Sequence, residues 1–236
     1  MNGYVEFITA QVLKDNYDVF GHFYSVQVAP EQFVNCRSVL EIVRPNTPFK
    51  EANEISFLKP DAVFIMMNPG SSRPLIETND RIDYRAIHEL KTSLIKARPD
   101  ATQYQVMRLM YHCQWNHVRV LNLSDLRSSK SAKFLEHYRE LETEYSFDAH
   151  SVFSDQRKDE LALKIIHGTS VICAWGTSPI LDPLIERCLH KLTNAKFPIG
   201  LLKEGTTNKF FHPLPPLQSQ QMIWVQRMVE QCHKRN

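Results

Sequence analysis

The chain has 236 residues, a length that suits one large α/β domain and falls short of two full ones. Apolar residues make up 43% and charged residues 23%, ordinary globular usage that speaks against disorder. The formal charge of +2 permits nucleic-acid binding but does not announce it, so any DNA role needs Lys and Arg gathered on one face.

The segment up to about residue 58 reads as β-rich, with strands predicted over 20–29 and 34–43. Three short, almost fully apolar runs follow, at 62–67 (AVFIMM), 118–123 (VRVLNL) and 170–175 (SVICAW). Runs of that kind suit central parallel strands buried on both faces. Between them lie helical patterns. In 81–98, Ile82, Ala86, Ile87, Leu90, Leu94 and Ile95 share one stripe at helical spacing, with Pro99 as a stop. Further helices are predicted over 103–113, 155–166 (with Gly168 as its cap), 179–192 and 218–233. Residues 127–150 read as a polar helix plus loop. Strands alternating with helices predict a three-layer α/β/α sandwich around a mainly parallel sheet, one domain over 1–236.

The five cysteines are scattered, odd in number and never Cys-x-x-Cys, which favours reduced thiols over a disulfide framework. No start resembling a signal peptide and no span-length apolar run is present, so a cytoplasmic protein away from membranes is expected. Cys113-x-x-x-His117 and Cys188-Leu-His190 are fragments of metal patterns without a second half, so neither metal nor cofactor is expected.

In open α/β sheets, ligands sit beyond the carboxyl ends of the strands. After the first run comes Asn68-Pro69-Gly70-Ser71-Ser72, a small-residue turn able to aim amides at a ligand or water, or simply to end a strand. Asn122 ends the second run. Its amide can read the edge of a base, or equally satisfy neighbouring backbone. Trp175-Gly176 ends the third. Further on, Phe210-Phe211-His212-Pro213-Leu214 is a proline-stiffened loop presenting one imidazole, a group that stabilises an anion or moves a proton when it is not merely structural. Arg127, Lys130, Lys133 and Arg139 form a modest basic cluster near the second strand end, either a solvated helix face or a phosphate contact.

Taken in order, these pieces resemble the uracil-DNA glycosylase superfamily. Met66-Met67-Asn68-Pro69-Gly70 is similar to the first motif of its mismatch-specific branch, and Val120-Leu121-Asn122 to its strand ending in Asn. Ala174-Trp175-Gly176 and His212-Pro213 are similar to the two later motifs. The chain also resembles a bacterial and phage domain family with Asn-Pro-Ser-Thr, Asn-Leu, Trp-Gly and His-Pro-Leu motifs. The resemblance spans roughly 35–230.

It implies hydrolysis of an N-glycosidic bond on a flipped-out nucleotide. By that resemblance Asn68 positions the water, Asn122 reads the pyrimidine edge together with Gly70, and His212 stabilises the departing base. Leu214 is the wedge, Ser71, Ser72, Arg127 and Lys130 meet DNA, and Tyr84 is the ring stacked on the base. The first motif lacks the usual preceding Gly, and the last reads His-Pro-Leu-Pro-Pro rather than His-Pro-Ser-Pro. Asp80 and Asp83 are the nearest candidates to supply a carboxylate, and Asp80 is the one assigned to catalysis. DNA is the expected partner. Two other readings stay open: a catalytically silent base-binding module for repair or phage–host conflict, and an enzyme of free nucleosides or nucleotides.

Overall fold

The computed structural model describes residues 5–192 and 198–234. A short helix α1 (Ala10–Asn16) leads into two long strands, β1 (Asp18–Ala29) and β2 (Gln32–Val43), paired as an antiparallel hairpin. Next come β3 (Ala62–Met66), β4 (Arg73–Pro74), β5 (Arg81–Asp83) and β6 (Ile95–Arg98), then α2 (Ala101–Cys113) and β7 (His117–Asn122). The remainder runs α3 (Ser131–Glu144), α4 (Lys158–Lys164), β8 (Ser170–Cys173), α5 (Asp182–Lys191) and α6 (Gln218–His233).

All eight strands join one sheet in the order β4-β6-β1-β2-β7-β3-β8, with β5 also paired to β1. The β7-β3-β8 part is parallel, and every residue of β3 is buried, as its apolar run predicts. The expectation of a mainly parallel sheet is corrected: β2 pairs antiparallel with β7 and with β1, and β6 pairs antiparallel with β1 and β4. The β-rich opening is therefore half of the same sheet, and a tight hairpin can only be antiparallel.

Helices cover both faces. Leu13, Val106, Met110, Trp224 and Val225 bring α1, α2 and α6 onto one face with Phe64 and Val120. Phe134, Leu161 and Leu184 bring α3, α4 and α5 onto the other with Val63 and Ile65.

The helix predicted over 81–98 does not form. That stretch is β5, a 3-10 helix at Tyr84–Glu89, and β6. Its apolar stripe is nonetheless turned inward, since Ile87 and Leu94 are core residues and Ile82 and Leu90 pack against them. Backbone pairing of Arg81–Asp83 with Ser25–Gln27, and of Ile95 and Lys96 with Gly21 and Phe20, wins over local helical spacing. The 155–166 helix divides into a 3-10 turn (Asp155–Arg157) and α4, while Gly168 takes its positive φ beyond the helix end.

One polar cluster on the sheet is tied off locally. Glu41 faces Arg119 across β2 and β7 and accepts from its Nε at 2.7 Å, while His117 Nε2 lies 2.7 Å from the other carboxylate oxygen. Arg119 also donates to the carbonyls of Ser56 and Lys164, binding two helix ends to the sheet. No helix of the described residues is long and apolar enough to cross a membrane.

Candidate functional site

At the carboxyl ends of β3 and β7 lies a cavity of about 140 Å³, lined among others by Asn68, Gly70, His212, Arg37, Asp100 and Ser128. Residues from opposite ends of the sequence meet here, as the strand-end rule predicts.

The 68–72 turn is held at each step. Asn68 Nδ2 donates to Ser128 O at 2.7 Å and more weakly to Leu126 O at 3.5 Å. Both partners are carbonyl oxygens, so the NH₂ must face them, which leaves Oδ1 as the amide's acceptor for the cavity. Arg37 Nη1 donates to Pro69 O, Asp100 Oδ2 accepts from Ser71 N, and Arg127 Nη2 donates to Ser72 O. Gly70 has φ +68°, and a Cβ there would lie 2.8 Å from Asp100 Oδ2, so only glycine fits the turn. Asp100 is also the N-cap of α2, accepting from Thr102 N and Gln103 N through Oδ1.

His212 is fixed from behind. Gly176, at φ +95°, donates its N–H to Phe210 O, and Trp175 Nε1 donates to Asn208 O with its ring edge-on to Phe210. Trp224 Nε1 donates to Phe211 O and Gln221 Nε2 to Pro215 O, so α6 grips the far side of the loop. The Trp-Gly pair therefore serves as a mount for the histidine. His212 Nδ1 accepts from the Leu214 N–H, which places the ring proton of the neutral form on Nε2. Burial lowers the His212 pKa, with Asp100 pulling the other way, and the neutral form is favoured.

Two deeper residues complete the arrangement. Asn122 is wholly buried and paired in register with Met66, on the face of β7 that includes Val120; both neighbours line the cavity. Neither of its amide atoms has a hydrogen-bond partner, so it does not serve neighbouring backbone. Arg37 is about 1% exposed, its Nε has no partner, and burial pushes its pKa down to about 10. A break in the β1–β2 register sets Arg37 opposite Phe23, on the same sheet face as the cavity.

Several of the expected residues lie away from the cavity. Asp80 bonds His22 Nε2 at 3.2 Å, and Tyr84 packs edge-on against Phe147; both belong to the α3–α5 face, across the sheet from the cavity. Ser72 is buried with its hydroxyl on Arg98 O, and Arg127 braces the turn while its guanidinium lies over Phe23, so both side chains are engaged within the fold. Leu214 is half-buried, whereas Ser71 and Lys130 are exposed near the turn. Sequence reading missed Arg37 and Asp100. The first sits in a mixed strand with Asn35, Ser38 and Glu41, where one more polar residue is a weak signal; the second precedes a helix and reads as a cap.

A larger cavity, about 640 Å³, opens beside α4, and its buried charges satisfy one another: Glu41 pairs with Arg119 and Lys164 with Glu160, Lys164 also donating to Thr92.

A family model described as "Protein of unknown function (DUF1643)" matches residues 90–214, more than half of the chain. The chain belongs to that family. The DUF1643 segment contains Asp100, Asn122, Trp175, Gly176 and His212, and begins after the Asn68 turn. No curated protein and no solved structure matches the chain.

Proposed function

We propose that the cavity holds a single nucleobase and that the protein hydrolyses the N-glycosidic bond of a nucleotide in DNA, on a uracil-DNA glycosylase-like architecture. The observation that carries this reading is the convergence of the oriented Asn68 amide and the Nε2–H of a neutral His212 at one strand-end cavity, with the unpartnered Asn122 amide buried beside the wall residues Met66 and Val120. A volume of about 140 Å³ suits one flat ring and is well below the several hundred Å³ of a drug-sized ligand.

In this reading Asn68 Oδ1 accepts a hydrogen bond from a water and directs its oxygen at C1′. The C1′–N bond breaks and its electron pair leaves with the base, the water oxygen bonds to C1′ in its place, and His212 Nε2–H stabilises the negative charge on the base oxygen. The water's proton passes to solvent. Asn68 is not a base, so the step depends on positioning and on leaving-group stabilisation.

The test is base release from oligonucleotides carrying uracil, mismatches or modified cytosines, read as strand cleavage at the abasic sites. Release that disappears in Asn68→Ala and His212→Ala supports the proposal. Tight, salt-dependent DNA binding without release points to a silent binding module. A second reading, action on a free nucleoside, is favoured by the inward turn of Ser72 and Arg127, which removes two of the expected DNA contacts. It predicts base release from a nucleoside and none from DNA.

A further inference from the structure

Arg37 is a buried cation with no carboxylate ion-pair partner among the described residues; Asp100 and Asp125 act on it only through space. One bond, to Pro69 O, anchors Nη1, and the buried Nε has no partner. A guanidinium that only braced a turn would be better placed at the surface, because burying a charge without a full set of partners is costly. Arg37 also lines the strand-end cavity, where an acceptor on a bound ligand would meet the guanidinium.

We propose that Arg37 is a specificity-determining residue that selects a base presenting a ring carbonyl over one presenting an exocyclic amine. The inference rests on the base-binding reading of the same cavity. Arg has five N–H donors and no acceptor, so it rewards a carbonyl oxygen and meets an amine donor to donor. Asn122, buried beside the wall residues Met66 and Val120 with both a donor and an acceptor free, suits either orientation of a ligand by turning its amide. Arg37 cannot invert in this way, so discrimination falls to it. The predicted ligand is a keto base such as uracil, with cytosine rejected.

The test is equilibrium binding of two short oligonucleotides identical but for one uracil or cytosine, with wild-type protein, Arg37→Met and Arg37→Lys, alongside competition by inorganic phosphate. Wild type is expected to prefer the uracil strand about tenfold or more, the scale of a directed guanidinium contact to a base. Arg37→Met should bring the two affinities together. Arg37→Lys, which keeps donors and charge but loses the fork, should keep a reduced preference. A purely structural role would weaken both strands equally and leave the ratio unchanged.

Equal wild-type affinities, or a ratio untouched in both variants, overturn the proposal. So does phosphate competition that is lost with Arg37, which would mark an anion site. If Arg37→Met does not fold, the wild-type ratio and Arg37→Lys decide. Selective binding without base release would leave this inference standing while the hydrolytic reading fails; release with an unaltered ratio in the variants would do the reverse.

Discussion

His212 Nδ1 accepts the backbone N–H of Leu214 at 3.2 Å, a bond that only an unprotonated Nδ1 can make. Burial acts in the same direction and lowers the pKa from its ordinary 6.5. The neutral ring, proton on Nε2, is the form assigned to leaving-group stabilisation. A depressed histidine supplies stability that is present above its unfolded pKa and lost as pH falls through its folded one. Activity should therefore be level near and above neutrality and decline in acid below pH 6.5. His22 is lowered by burial too, with Asp80 opposing, so melting alone cannot separate the two rings. NMR titration of His212 can, and a midpoint above 6.5 would contradict this account.

Gly70→Ala tests the turn. The new Cβ must displace the Asp100 carboxylate, and its backbone must hold φ +68°. A loss of about 1–3 kcal/mol is expected in urea unfolding, in line with other strained non-glycine positions. Faster hydrogen exchange at the Ser71 amide should accompany it, because that N–H bonds Asp100. A neutral effect would mean that the turn adjusts freely.

Arg127→Ala separates bracing from DNA contact. The side chain holds Ser72 O at 2.9 Å and is partly desolvated, which lowers its pKa. Stability should fall while the salt dependence of DNA binding keeps its slope. A phosphate-contacting residue would instead reduce that slope by about one unit. Exposed Lys130 is the matched comparison.

The parts legible in the sequence were those governed by apolar runs and strand ends. The 62–67 and 118–123 runs became neighbouring parallel strands, and Asn68, Gly70 and His212 met beyond the end of β3. Missed features depend on long-range pairing. Nothing local in 81–98 says that Arg81–Asp83 will lie along Ser25–Gln27. Nor does Arg37 announce itself: its inward aim follows from a register shift against a partner strand, and its value from a cavity closed by residues up to 175 positions away. Asp80 and Tyr84 looked close to Asn68 along the chain, yet β5 carries them across the sheet.

Arg157 tests how the loop after β7 is kept in place. It pairs with Asp125 at 2.6 Å and grips Glu160 through Nε and Nη2, while Tyr24 donates to the same Asp125 oxygen. Asp125 in turn anchors Arg37 through a backbone bond. Arg157→Met leaves a buried carboxylate without its cation and should cost about 3–5 kcal/mol. Exchanging Asp125 for Asn in the same protein should recover part of that loss, which a double-mutant cycle would measure.

Asn122 offers the opposite outcome. Its amide is buried with neither atom bonded, so the fold carries a desolvation cost for a group that it does not use. Asn122→Leu is close in size and removes that cost. Stability should rise, by about 1–3 kcal/mol if the leucine packs without strain. Base binding and release should be lost together. Gain in one and loss in the other is the pattern expected where a polar group is kept for a ligand at the expense of the fold. A destabilised Asn122→Leu protein would mean that the amide is satisfied in solution, and would remove one support for the base-binding reading.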